Sequence, residues 1–346
     1  MLPDFSRYAC QIKLPGFGEL AQRMLQNAKV LVCGAGGLGC PALQYLAATG
    51  VGTIGIVDFD NISFSNLHRQ IIFTPQQAGL KKTATAAAQL RAQNPDITVV
   101  EHDTRLNDEN IIELVKDYDL VLDCTDNFET KYLINDACVI SEIPLIYGSI
   151  YQYEGQVSFL NGVNEDGSRS ANYRDFFPGA NARVIPDCSE GGVFPTLAGI
   201  IGCIQANEAI KYITQTGELL IGKMLLFDAQ TMLTKVISAS VQVGTPIKAI
   251  EQQVSIPTIT VEEFKSNEDK YFLIDVRTPE EHAEFNIGGI NVPLNEIEDI
   301  STYLETDKPV LLYCSVGRRS SEAVKIINQL FVHDIYSLKN GLKDWQ

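Results

Sequence analysis

Two short polar turns in this 346-residue chain hold a cysteine in a setting that favours reactivity: Cys188 in PDCSEGG and Cys314 in YCSVGRRS. Cys188 precedes an apolar helical pattern, whose N-terminal dipole would lower a thiol pKa. Cys314 ends an apolar strand pattern and is followed by Gly317, Arg318 and Arg319 and then a helical pattern. Loop N–H groups and two guanidiniums there could hold an anion against the thiol. A third chemistry-bearing run, Gly34-Ala35-Gly36-Gly37-Leu38-Gly39, follows the strand pattern KVLVC and opens a helix. Glycines in that position let the backbone approach phosphates, and the helix end offers free N–H groups. Asp58 closes the next strand, 24 positions after Gly34, where it could accept hydrogen bonds from a ribose. To this point NAD and ATP fit equally. Asn66, Arg69 and Lys82, followed by Asp126 in LVLDCTDN, favour a triphosphate with Mg²⁺, because cations and a carboxylate at strand ends neutralise phosphate charge.

The elements that must position these groups alternate regularly. KVLVCG, a helix over about 38–49, TIGIVD, a helix over about 79–93, ITVVEHD, a helix near 108–116, DLVLDCTD, a helix near 128–142 and PLIYGSI spell a βαβ grammar. That predicts an α/β fold with a doubly wound, mostly parallel, Rossmann-like sheet. From 152 to 190 the pattern gives way to a hairpin-like QVSFLNG and a long polar loop; a loop of that length is usually functional. An apolar helix, VFPTLAGIIGCIQANEAIKYIT, and a strand pair ending near VISAS complete a first domain over 1–240. Weak periodicity and two prolines over 241–257 read as a linker. A small second α/β domain follows over 258–346, with strands YFLIDV and PVLLYC and a helix over about 319–330.

Composition limits the function classes. A net charge of −16 argues against a nucleic-acid or anionic-membrane surface, both of which need a basic face. The absence of a long apolar run and of a charged-then-apolar leader leads us to expect a soluble, unprocessed cytoplasmic protein. The eight cysteines include no C-x-x-C pair, so neither a disulfide framework nor a thiolate zinc site is expected. Cys33, Cys40, Cys138 and Cys203 lie in apolar runs and read as small core fillers.

The motifs DFDNISFSNLHRQ, GLKKTATA, LVLDCTDN and YEGQVSF, in that order, resemble the molybdopterin-synthase and thiamine-biosynthesis adenylyltransferases, which are similar in core to ubiquitin-activating enzymes. The resemblance covers about residues 7–238. It implies that Gly34, Gly36, Gly37 and Gly39 cradle the phosphates of ATP, that Asp58 holds the ribose, that Asn66, Arg69 and Lys82 contact the triphosphate and that Asp126 binds Mg²⁺. It further implies a partner, a small ubiquitin-like sulfur-carrier protein ending in Gly-Gly, and a homodimer. In the resembled family the position of Cys188 can accept the activated carboxylate or exchange sulfur.

Three features depart from the family pattern. The opening R-Y-x-R-Q reads Arg7-Tyr8-Ala9-Cys10-Gln11, so the arginine that in relatives reaches a neighbouring subunit's ATP is Cys10. Relatives carry two C-x-x-C pairs for zinc; here Asn172 and Asp175 stand at the first, and no cysteine lies near 239–256. SEGGV after Cys188 differs from the usual acidic-alanine-glycine turn.

The Cys314 loop suits either a cysteine phosphatase or a sulfurtransferase. Phosphatases set the arginine one residue further from the thiol, where this chain has Ser320. The tighter loop resembles rhodaneses, as do LIDVRTPEEHAEFNIGGINVPL and LKNGLKDW. That resemblance implies a persulfide on Cys314, with Asp275 and Arg277 shaping the rim and thiosulfate or a cysteine desulfurase persulfide as sulfur donor. Together the domains imply ATP-dependent adenylylation of the carrier's C-terminal glycine followed by sulfur transfer to a thiocarboxylate. The rival readings are an NAD-dependent redox protein with a rhodanese domain and an inactive nucleotide-binding scaffold.

Overall fold

Val30, Leu31, Val32 and Cys33 are all fully buried, which is what an apolar run without alternation requires: a central parallel strand covered on both faces. The computed structural model describes residues 5–178, 192–250, 256–303, 308–330 and 334–345. The chain divides into two compact units, Met1–Glu251 and Gln252–Gln346.

In the first unit the elements are α1 (Ala9–Ile12), α2 (Gly18–Asn27), β1 (Lys29–Cys33), α3 (Gly39–Thr49), β2 (Thr53–Val57), α4 (Lys82–Gln93), β3 (Thr98–His102), α5 (Ile111–Val115), β4 (Leu120–Asp123) and α6 (Phe128–Ile140). Then follow β5 (Leu145–Tyr151), β6 (Glu154–Leu160), α7 (Tyr173–Phe176), α8 (Pro195–Thr214), β7 (Lys223–Asp228) and β8 (Thr234–Ser238). The sheet order is β3-β2-β1-β4-β5-β6-β7-β8, parallel through β5 and antiparallel beyond. Its order reverses between β1 and β4, and in open α/β sheets a ligand crevice forms at that switch point, beyond the strands' C-terminal ends. Alternate residues of β1 feed two cores. Val30 and Val32 pack with Leu43, Leu46, Leu90 and Ile201 of α3, α4 and α8. Leu31 and Cys33 pack with Ile111, Val115, Ile134 and Ala137 of α5 and α6.

The doubly wound fold expected from the alternation is the fold found. The stretch expected as one long loop after QVSFLNG contains α7, and residues 179–191 lie outside those described. α7 forms because Asn172 and Asp175 make a reciprocal capping box around its first turn. Tyr173 then packs edge-on against Tyr132, with ring centroids 4.9 Å apart. Within the segment expected as a linker, residues 243–245 are fastened to the first unit. Val243 bridges Ser170, Gly244 N–H donates to the Arg169 carbonyl at 2.9 Å, and Asn172 Nδ2 donates to the Thr245 carbonyl at 2.8 Å.

The second unit comprises β9 (Thr258–Ile259), α9 (Val261–Lys265), β10 (Phe272–Asp275), α10 (Pro279–Glu284), β11 (Ile290–Asn291), a 3₁₀ helix (Leu294–Tyr303), β12 (Val310–Tyr313), α11 (Arg318–Leu330) and β13 (Ile335–Leu338). Its strands are all parallel, in the order β11-β10-β12-β13-β9. β12 is buried along its length, so the turn at its C-terminal end is carried on a rigid central strand. Among the described residues no helix is long and apolar enough to cross a membrane.

Candidate functional sites

The glycine loop is held by backbone packing that no side chain could share. A Cβ on Gly39 would lie 1.9 Å from the Gly34 carbonyl oxygen, and Gly34 itself has φ +97° with a Cβ position 2.8 Å from the Cys124 carbonyl oxygen. These two glycines wedge the β1–α3 turn against the end of β4. Gly37 is pressed on Ala198 of α8 and on Arg69, with a Cβ position 3.1 Å from the Ala198 Cβ and 3.4 Å from the Arg69 stem. Gly36 is different: the nearest atom to its Cβ position is Gln70 Nε2 at 3.8 Å. Space is left above that residue.

Around this turn stand the other expected residues. Arg69 donates to Asn66 Oδ1 at 3.2 Å and contacts His68 Nε2 at 3.3 Å. Lys82, at the N-terminus of α4, is buried and pairs with Asp60 at 2.9 Å and Asp58 at 3.8 Å. Asp58 accepts from the Ala35 N–H at 2.8 Å and the Asp60 N–H at 2.9 Å, which ties β2 to the glycine loop. Burial pushes the Asp58 carboxyl above its ordinary pKa, although Lys82 and these N–H donors oppose it. Asp126 lies exposed just beyond β4. Gly34, Gly36, Gly37, Gly39, Asp58, Asn66, Arg69 and Lys82 thus form one group at the crevice.

Four further residues, Gln70, Lys131, Asp123 and Gln205, complete it. Gln70 is buried, and its Oε1 has no hydrogen-bond partner among the described residues. A buried orphan acceptor beside Gly36 is a mark of a site that a polar ligand fills. Lys131 and Asp123 form a buried ion pair at 3.2 Å; Lys131 also donates to the Gly148 carbonyl at 2.8 Å. Gln205 of α8 donates to the carbonyls of Asp123 at 2.8 Å and Ile146 at 3.3 Å, joining the ends of β4 and β5. A lone lysine on the otherwise buried face of α6 was the available signal for Lys131; Gln205 had none beyond being polar in an apolar helix.

An ATP triphosphate fits the open backbone over Gly36 with Arg69 and Lys82 as cations, and the orphan Gln70 Oε1 suits a hydroxyl or amino donor of the same nucleotide. The exposed Asp126 carboxylate would suit a hard cation such as Mg²⁺, which would supply charge neutralisation at the phosphates. Zinc does not fit. Asn172 spends its amide on Thr245, and the Asp175 carboxylate accepts from the Thr245 N–H at 3.1 Å and from its hydroxyl. A hydrogen-bonded clasp therefore occupies the positions where relatives of the resembled family carry thiolates. Cys10 is exposed on α1, Cys33, Cys40 and Cys138 are buried, Cys203 is half-buried, and Cys188 lies outside the described residues.

In the second unit Cys314 is fully buried at the end of β12. Its Sγ accepts the Gly317 N–H at 3.1 Å and lies 3.6 Å from Ser320 Oγ. Gly317 has φ +85°, the left-handed conformation that turns the loop amide toward the sulfur. Gly341, in the LKNGLKDW stretch, supports the loop from below: a Cβ there would lie 2.2 Å from the Cys314 carbonyl oxygen. Asp275 and Arg277 are locked together, with Arg277 Nη2 2.6 Å and Nε 2.9 Å from the carboxylate, and His282 Nδ1 is 2.9 Å from Asp275. They brace the neighbouring strand end. Arg319 is taken up in a fork by Glu281, at 2.7 and 2.8 Å, and also donates to Ser315 Oγ at 3.2 Å. Arg318 is exposed. The sequence pattern gives two guanidiniums that could hold an anion against the thiol; it gives no sign of Glu281, which meets Arg319.

Comparison with known proteins places both halves. Residues 8–244 match the ThiF family and residues 260–346 match the Rhodanese-like domain. The chain belongs to the ThiF family. It is 39% identical to the "Probable adenylyltransferase/sulfurtransferase MoeZ" of Mycobacterium tuberculosis, over 99% of this chain and 93% of that protein. It is 37% identical to the "Adenylyltransferase and sulfurtransferase MOCS3" of Drosophila grimshawi, over 99% of this chain and 84% of that one. Among solved structures it is similar in fold to the Microcin C7 biosynthetic enzyme MccB in complex with N-formylated MccA, at a TM-score of 0.60 and 22% identity, covering 71% of this chain and 74% of that chain. The ThiF-family chain described here thus carries a rhodanese-like domain after its ThiF match.

Proposed function

We propose that this chain uses ATP to adenylylate the C-terminal glycine of a small ubiquitin-like sulfur-carrier protein ending in Gly-Gly, and supplies the sulfur that turns that carboxylate into a thiocarboxylate. The observation that carries the reading is the match along nearly the whole chain, both domains included, to relatives named for both activities. The carrier's carboxylate oxygen attacks the α-phosphorus of ATP and pyrophosphate leaves. Chemistry of this kind needs positioning and charge neutralisation more than a general base.

Each residue group has a task in this reading. Gly36 leaves the backbone open to the phosphates, Gly37 lets the loop pack on α8 and Arg69, and the orphan Gln70 Oε1 accepts from a hydroxyl or amino group of the nucleotide. Asn66 orients Arg69 toward the triphosphate, Lys82 balances Asp58 and Asp60 until phosphate oxygens compete for it, and Asp58 receives the ribose. Mg²⁺ on Asp126 would supply charge neutralisation at the phosphates. Cys188 is the thiol that can take over the activated carboxylate as a thioester, AMP leaving. Cys314 carries the sulfane sulfur: its thiolate attacks the outer sulfur of thiosulfate or of a cysteine desulfurase persulfide, the S–S bond breaks, and sulfite or a thiolate leaves. The Gly317 N–H that faces Sγ stabilises the anionic sulfur.

An exposed edge supports a protein partner. Met232, Leu233, Val236 and Ile237 on and beside β8 are each 46–67% exposed. Apolar side chains on an edge strand are a surface to which another sheet can add. A homodimer and a role in molybdenum cofactor biosynthesis are part of the same reading. The test is ATP–pyrophosphate exchange with the purified chain and Gly-Gly-ending carrier proteins. Exchange that depends on the carrier is expected; no exchange with any of them would leave the scaffold or NAD-dependent readings in its place.

A further inference from the structure

Arg319, in the loop around Cys314, is not held in reserve. Both terminal nitrogens of Arg319 face the two oxygens of Glu281, at 2.7 and 2.8 Å, in the fork geometry that makes Arg–carboxylate pairs strong. The pair is stitched to the residue that follows the thiol: Ser315 Oγ donates to Glu281 Oε1 at 3.2 Å and accepts from Arg319 Nη2 at 3.2 Å. Glu281 is itself fixed by α10, where its carboxylate accepts the Thr278 N–H at 3.0 Å and closes a capping box. Arg319 holds the Glu281 carboxyl well below its usual range, at about 2, so the pair is ionised throughout the physiological range. Arg277, the other cation near the strand end, is committed to Asp275.

This matters for the choice of sulfur donor, and the inference rests on Cys314 being the persulfide site. Thiosulfate brings two negative charges and leaves as sulfite; it gains most from an uncommitted guanidinium. A persulfide on a cysteine carries its charge on the sulfane end and leaves as a single thiolate. We propose that Glu281 is a specificity-determining residue for the sulfur donor: by holding Arg319 it withholds the cation a dianionic donor needs, and favours a cysteine persulfide over thiosulfate.

The test uses the full-length chain, with cyanide as acceptor and thiocyanate as readout, and two donors, thiosulfate and cysteine persulfide. Glu281→Gln keeps the side-chain length and the capping hydrogen bonds, since glutamine serves at that position of a capping box. It should raise the ratio of kcat/KM for thiosulfate to kcat/KM for the persulfide by about tenfold, through a lower thiosulfate KM, the effect of about 1.4 kcal/mol from one charge near a partly exposed site. Glu280→Gln, the adjacent exposed carboxylate, should shift the ratio by less than about twofold. If Glu281→Gln melts early, Arg319→Lys, which keeps the charge but cannot meet both carboxylate oxygens, should shift the ratio in the same direction. A ratio unmoved by these changes, or moved equally by Glu280→Gln, overturns the proposal while leaving Cys314 as the transfer site. Wild-type protein that gives no thiocyanate from either donor overturns both.

Discussion

Gly36 and Gly39 lie three residues apart in one loop, yet replacing each with alanine should fail or succeed for opposite reasons. At Gly36 the added methyl would find its nearest atom 3.8 Å away, ordinary van der Waals contact, so the folded state accommodates it. The unfolded chain loses freedom, and the net effect on stability should be a gain of up to about 1 kcal/mol. The methyl nevertheless stands where phosphate would approach the backbone. Losing one close phosphate contact should cost about 1.5–3 kcal/mol, or roughly 10- to 150-fold in kcat/KM for ATP in pyrophosphate exchange. At Gly39 the methyl would sit 1.9 Å from the Gly34 carbonyl oxygen, which is backbone and cannot swing aside. Displacing β1 against α3 should cost at least about 3 kcal/mol, a fall of about 6–12 °C in the melting temperature of the first unit. The assay is thermal melting beside ATP–pyrophosphate exchange for the two variants. Gly36→Ala with wild-type exchange, or with a melting temperature lowered as far as that of Gly39→Ala, would refute the division between an open cradle and a packed wedge.

Other consequences can be checked separately. Lys131→Met leaves Asp123 buried without its cation and should destabilise the first unit by about 3–5 kcal/mol in denaturant unfolding, with Asp123→Asn added in the same chain recovering part of the loss. Cys314→Ala should abolish thiocyanate formation from every donor and leave ATP–pyrophosphate exchange unchanged; persistent transfer would place the persulfide elsewhere. The Glu281 carboxyl is depressed from 4.5 to about 2 by Arg319, so the pair stabilises the second unit above pH 4.5 and that contribution is lost as pH falls toward 2. Because the carboxylate is about a third exposed the loss should be only about 1 kcal/mol, measured as the difference between wild type and Glu281→Gln across that range.

Much of this molecule was legible because its elements state their environment. The strand runs KVLVC, TIGIV and LVLD have no polar residue in their interiors, so the parallel sheet followed from pattern alone. The order of the motifs pointed to the family that the comparison then matched over residues 8–244. What the sequence did not disclose were pairings between distant residues. Glu281 lies 38 positions from Arg319, and nothing in either local pattern says that they meet. Thr245 lies 70 positions from Asp175, inside a stretch whose prolines and weak periodicity read as tether, yet its backbone closes the clasp. α2, GELAQRMLQN, is mostly polar in sequence and forms by burying Ala21, Gln22 and Leu25.

The most direct measurement is the intact mass of a Gly-Gly-ending carrier protein after incubation with this chain, ATP, Mg²⁺ and a persulfide donor. A gain equal to one sulfur in place of one oxygen, absent without ATP and absent with Cys314→Ala, is the result predicted. A carrier of unchanged mass, in a mixture where the same chain shows carrier-dependent pyrophosphate exchange and forms thiocyanate, would contradict the joining of the two activities in one reaction.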